Sequence, residues 1–255
     1  MRKIALHQLE SLFAAIEENA ALYLPVDTAA GAKFERWESG KTLSDALNTV
    51  RSPKDFFFPQ TENLMDFKVE GKQIEIIDTR KESEDFVVFG VRACDVKSFD
   101  ILDRVFLSEP VDTYYKNRRE HGVIFSLACT RPAETCFCGT FGIDAANPAG
   151  DVACWKTEDA LYLDAKTEKG AALLAKLEAV TEPAETEPVE AQKAQTAERL
   201  AKLPLADLKA DAFGDGKTSA FFNAPEWKSL SESCLGCGTC TFVCPTCQCY
   251  DIRDF

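Results

Sequence analysis

Phe86-Val87-Val88-Phe89-Gly90-Val91-Arg92-Ala93-Cys94-Asp95 is the stretch from which the architecture can be read. Residues 86–91 form a continuous apolar run, the pattern of a strand buried on both faces. The run leads straight into Arg92–Asp95, and a helix is expected from there through Phe106, with Phe99, Leu102 and Val105 on one face. Val123–Ala128 is a second buried strand, and it too ends on a cysteine, Cys129. Between them lies a charged helix, Asp112–Glu120, with the pair Tyr114-Tyr115. Two strands that finish on or near cysteine, with helices between, predict an α/β layer with its chemistry at the strand ends.

Working outward, Leu6, Leu9, Leu12, Phe13 and Ile16 recur at helical spacing, so residues 5–18 are expected as an amphipathic opening helix. Ala21–Pro25 and Lys33–Trp37 read as short strands, and Phe67–Val69 and Gln73–Ile77 as a hairpin joined through Glu70-Gly71. In Ser52-Pro53-Lys54-Asp55-Phe56-Phe57-Phe58-Pro59-Gln60-Thr61-Glu62, three phenylalanines stand between prolines, and a core plug under a loop is expected. Asp151–Thr157 and Ala160–Asp164 read as strands, with Cys154 an ordinary buried cysteine. Thr181–Val189, with two prolines and three glutamates, reads as a solvated linker, and Ala191–Leu203 as a helix after it. The fold class is therefore α/β (α+β): an α/β domain at residues 1–180, then a linker, helices and a ferredoxin-like iron–sulfur domain at 181–255.

That last assignment rests on Cys234-Leu-Gly-Cys237-Gly-Thr-Cys240-Thr-Phe-Val-Cys244-Pro245. The spacing C-x2-C-x2-C-x3-C-P is the ligand run of a bacterial 4Fe–4S cluster. Two-residue gaps let three thiolates converge from one tight loop, and Gly236 and Gly238 allow close backbone approach to inorganic sulfur. Structural zinc favours two C-x2-C pairs about 15–20 residues apart, so iron–sulfur is the better reading. Cys234, Cys237 and Cys240 are expected on one cluster. The fourth ligand is open between Cys244 and the later pair Cys247 and Cys249; by ferredoxin logic Cys244 serves a second cluster.

Cys136 and Cys138 lie in the loop that leaves the second strand, seven and nine residues beyond Cys129. Cys94 and Cys129 each follow a strand expected to be parallel, and neighbouring strands lie about 4.8 Å apart. Cys94, Cys129, Cys136 and Cys138 are therefore expected to form an additional metal site at one sheet edge, a 4Fe–4S cluster ahead of zinc.

Eleven cysteines without an export signal argue for metal or redox use in a reduced, cytoplasmic setting. No apolar run approaches membrane-spanning length, and a net charge of −13 without a basic stretch argues against nucleic acid. His7 and His121 are the two histidines, which weakens His-metal and Ser-His-Asp readings. Gly216-Lys217-Thr218 lacks the upstream glycine of a phosphate loop, since Asp211 stands there, and no G-x-G-x-x-G occurs.

Together, Phe58–Glu62, Gly90–Asp95, Leu127–Thr130, Thr135–Cys138 and Cys234–Asp251 make the chain resemble the iron–sulfur beta subunits of cytoplasmic sulfhydrogenases. The iron–sulfur component of anaerobic sulfite reductase belongs to the same group of 4Fe–4S dicluster proteins. The resemblance covers nearly the whole chain. It implies an electron-transfer subunit of an oxidoreductase rather than a self-sufficient enzyme. Such a subunit passes electrons between a flavin- and NAD(P)-binding partner and a [NiFe] hydrogenase or sulfite reductase catalytic subunit. Family members are expected to continue to a second C-x2-C-x2-C-x3-C-P, so a chain ending at Phe255 is expected to be a fragment or a shortened electron wire. The competing reading is a zinc-stabilised interaction module without redox role.

Overall fold

The computed structural model describes residues 1–250, the side chains of Lys81 and Glu82 excepted. In chain order the elements are β1 (Arg2–Ala5), α1 (Leu9–Glu17), β2 (Ala21–Thr28), β3 (Gly31–Arg36), β4 (Asp66–Glu70), β5 (Gln73–Ile77), β6 (Phe86–Val91), α2 (Ala93–Phe106), α3 (Thr113–His121) and β7 (Gly122–Leu127). There follow β8 (Val152–Lys156), β9 (Ala160–Ala165), α4 (Glu168–Lys176), β10 (Glu182–Pro183), α5 (Glu187–Ala201), α6 (Glu226–Ser231) and α7 (Thr239–Val243).

Eight strands form one mixed sheet in the order β10-β1-β9-β8-β7-β6-β2-β3. Its centre, β8-β7-β6-β2, is parallel; the margins are antiparallel. Parallel neighbours need a crossover; α2 and α3 make the one between β6 and β7, while the β2–β6 and β7–β8 connections carry no α-helix. On one face α1 with α4, and on the other α2 with α3, cover the central strands. This is why Phe86–Val91 and Val123–Leu127 carry no polar alternation. Val87, Phe89, Val123 and Phe125 pack with Leu12, Phe13 and Ile16 of α1 and with Leu173 and Leu174 of α4. Val88, Val91 and Ile124, on the opposite face, meet Val96, Phe99, Leu102 and Phe106 of α2 and Tyr115 of α3.

The phenylalanine triplet serves as the expected plug. Phe57 is fully buried between Phe99, at 4.8 Å, and Phe86, at 5.3 Å between ring centroids. Burying a side chain of that size stabilises the layer by about 3 kcal/mol. Gly90 sits at φ +83°, and a Cβ there would come within 3.1 Å of Pro25. The β6–β7 register slips at this glycine, so that Val91 faces Ser126. The resulting bulge re-aims the chain just before Arg92 and Cys94.

Several local expectations are corrected. The opening helix forms, but its first turn is 3-10 over Leu6–Gln8, the α-helix runs Leu9–Glu17, and Ala5 belongs instead to β1, which pairs with β9 and β10. On α2 the buried stripe is Phe99, Leu102 and Phe106, while Val105 is exposed, because the i, i+3, i+7 rows face the sheet. The segment expected as a solvated linker is folded. Glu182 and Pro183 add an edge strand to β1, and α5 starts at Glu187. Val189 is fully buried against Trp155, Ala153 and Tyr162, which anchors α5 on the sheet. The β4–β5 hairpin forms as expected, apart from the main sheet. Asp251 lies outside the described residues.

Candidate metal centres

The parallel centre delivers Cys94 and Cys129 to the same edge, because β6 and β7 are adjacent and run in the same direction. Cys94 stands in the first turn of α2, whose N-terminal amides point at the edge. Cys129 follows β7 and is buried; its amide donates to the Ala145 carbonyl at 2.9 Å. Thr196 of α5 donates its hydroxyl to the Cys129 carbonyl at 2.9 Å, so the helix that follows the supposed linker is the cover over this cysteine. Cys136 and Cys138 are half-buried in the following loop, where Cys138 opens a short 3-10 turn through Phe141.

Arg92, at the N-cap of α2, ties the edge together. Its guanidinium donates to the carbonyls of Leu47 at 3.1 Å, Ala46 at 2.9 Å and Ala128 at 3.2 Å. Burial pushes the Cys129 thiol up, while the charge and a hydrogen bond of Arg92 pull against it. Burial also lifts the Cys94 thiol to about 12, with Asp95, Cys138 and Cys129 adding repulsion, although part of the Cys94 surface stays exposed. Asp95 is itself pushed up to about 6 by burial, against the pull of Arg92. Burial raises Cys138, and Cys136 and Cys129 add to it. Cys94, Cys129 and Cys138 thus lie near enough at this edge for their charges to repel. Cys154, also expected as an ordinary core residue, is fully buried in β8 and its thiol points at the Val152 carbonyl.

The C-terminal loop is built differently. Gly236 and Gly238 take left-handed φ values of +65° and +73°, turning the chain between cysteines. Cys234, Cys237, Cys240 and Cys249 are exposed, while Cys244 and Cys247 are half-buried. A hydrogen bond from the Thr239 hydroxyl, 3.2 Å away, lowers the Cys237 thiol. At Cys244 burial works upward. Hydrogen bonds from Thr246 and from Cys247 outweigh it and bring the thiol to about 7. Cys247, the partner in that bond, is raised by it. Among the described residues, no group of three or more Cys, His, Asp or Glu stands at metal-ligating distance. His121 pairs instead with Asp85 at 2.7 Å.

Sequence reasoning missed two cations here. Arg92 had a signal, lying between a buried strand and Cys94. Lys54, whose ammonium reaches the C-terminal loop, had none.

Over its full length the chain is 32% identical to subunit beta of sulfhydrogenase 2 from Pyrococcus furiosus, and it spans 75% of that protein. This chain belongs to the sulfhydrogenase beta-subunit family. No family model matches it, and no solved structure does. Among the described residues, no helix is long and apolar enough to cross a membrane.

Proposed function

We propose that this sulfhydrogenase beta-subunit family member is the electron-transfer iron–sulfur subunit of a cytoplasmic redox complex. One 4Fe–4S cluster is held by Cys234, Cys237 and Cys240, with a fourth thiolate from Cys244 or from the pair Cys247 and Cys249. A second is held by Cys94, Cys129, Cys136 and Cys138. The observation that carries the reading is that adjacent parallel strands β6 and β7 bring Cys94 and Cys129 to the same sheet edge, in a chain 32% identical to a sulfhydrogenase subunit. The donor chemistry fits: both groupings offer soft thiolates, which suit iron–sulfur clusters. The division into an α/β part and a C-terminal iron–sulfur part belongs to the same proposal.

When bound, such clusters take up and release one electron at a time. The chain's own residues hold and shield them. Arg92 favours the thiolate of Cys129 over the thiol. Trp155, Val189 and α5 keep water from the inner side of that edge. Flavin and nicotinamide belong to a partner subunit, in keeping with the lack of a G-x-G-x-x-G stretch in this chain. A hydrogenase or sulfite reductase subunit is the catalytic partner.

Anaerobic reconstitution of the full chain tests this. About eight irons per chain and the EPR signals of two reduced clusters are expected. A colourless protein with stoichiometric zinc would overturn the proposal in favour of an interaction module.

A further inference from the structure

Lys54 is 6% exposed, a rare state for a lysine. It lies in the 3-10 turn Pro53–Phe56, capped by Ser52, whose hydroxyl accepts from the Lys54 amide at 3.3 Å. Its ammonium donates to the carbonyls of Cys244 at 2.8 Å and Cys247 at 3.0 Å, nearly two hundred residues along the chain. Among the described residues it makes no ion pair with a carboxylate; the neighbouring Asp55 is bound to Arg51 at 2.6 Å. The same turn grips the loop at two further points. Arg51 lies over the Phe242 ring at 5.0 Å, and Phe58, stacked on Phe106, meets Tyr250 edge-on at 6.1 Å.

A buried cation is costly unless its hydrogen bonds are made. Here two of the three ammonium donors go to carbonyls of the cysteine run itself. The ammonium, with Arg51, pulls the half-buried Asp55 toward its charged form against burial, and it acts as well on any negative charge gathered beside those carbonyls, strongly so in a low-dielectric site.

We propose that Lys54 is a positioning residue for the C-terminal cluster: it pins the Cys244–Cys247 end of the loop to the α/β layer and raises the cluster's reduction potential. This rests on the cluster assignment made above. Reduction adds one negative charge to the cluster, and a fixed ammonium nearby favours that state over the oxidised one. Substituting Lys54 separates the two roles. Lys54→Met removes both hydrogen bonds and charge; Lys54→Gln keeps a donor and removes the charge.

The test is made on the reconstituted full chain by EPR-monitored redox titration, with the Cys94–Cys138 cluster as internal reference. At a fixed potential, both variants are expected to hold about tenfold less of the C-terminal cluster in the reduced state, a shift of about 59 mV for one electron. The reference cluster stays unmoved. In the metal-free chain, hydrogen exchange at residues 242–250 is expected to quicken in Lys54→Met and to stay closer to the parent in Lys54→Gln. An unchanged potential in Lys54→Gln, with the cluster present, overturns the inference. If the parent chain itself binds no iron at Cys234–Cys240, the cluster assignment fails instead, a result distinct from the first. If Lys54→Met does not fold, Lys54→Gln carries the decision.

Discussion

The two cysteine regions are held in opposite ways. Cys94 and Cys129 sit on regular elements: one in the first turn of α2, the other at the end of a central strand, with its backbone bonded on both sides. Cys234, Cys237 and Cys240 are exposed, the first two in irregular chain and Cys240 in the short helix α7, and their loop is steadied from outside by Lys54, Arg51 and Phe58. If the proposed clusters bind, the edge needs less backbone ordering than the exposed loop, where metal-binding energy would become folding energy.

The most severe way to break this comparison is to take one ligand from each region. Cys129→Ala should lose the edge cluster and keep the loop cluster, and Cys237→Ala the reverse. Each variant should retain about four of about eight irons per chain, measured by iron analysis and EPR. Loss of all iron in either variant would mean that the two regions are not independent.

Next in size is the phenylalanine plug. Phe57→Ala empties a fully buried site and should destabilise the chain by about 3–5 kcal/mol in urea unfolding. Phe58→Ala removes a half-buried ring that also meets Tyr250, and should cost less while loosening the loop more. Equal effects of the two on proteolysis of the C-terminal loop would show that the loop is not docked through Phe58.

The metal-free thiols offer a sharper contrast through pH. Alkylation requires the thiolate, which forms as pH rises through the pKa. Cys244, lowered to about 7, should be half-maximally reactive near neutral pH, whereas Cys94, raised to about 12, should stay slow at any pH below about 10. Mass spectrometry of alkylated peptides across pH gives both curves. Coincident curves would remove the electrostatic distinction between the regions.

The smallest expected effect is at the cover. Thr196→Val deletes one hydrogen bond to the Cys129 carbonyl and should cost about 1 kcal/mol. Cys129 alkylation in the metal-free chain should quicken, with that of Cys237 unchanged.

Much of the central sheet was written locally. An apolar run without alternation can only be buried on both faces, so Phe86–Val91 and Val123–Leu127 specified adjacent parallel strands and, with them, the shared edge for Cys94 and Cys129. The spacing of Cys234–Cys244 likewise suggests the proposed cluster from sequence distance alone. Composition misled at 181–189: prolines and glutamates read as solvated, yet Thr181 is buried and Val189 fixes α5 against Trp155. A lone apolar residue in a polar stretch has no periodicity to announce it. Lys54 is the extreme case. Its partners are two backbone carbonyls about 190 residues away, and any residue presents a carbonyl, so no pattern in the sequence marks them. The residues supplied the strands, the plug and the positions of the cysteines; only the tertiary structure decided which cation meets which loop, because such contacts are set by how distant elements pack.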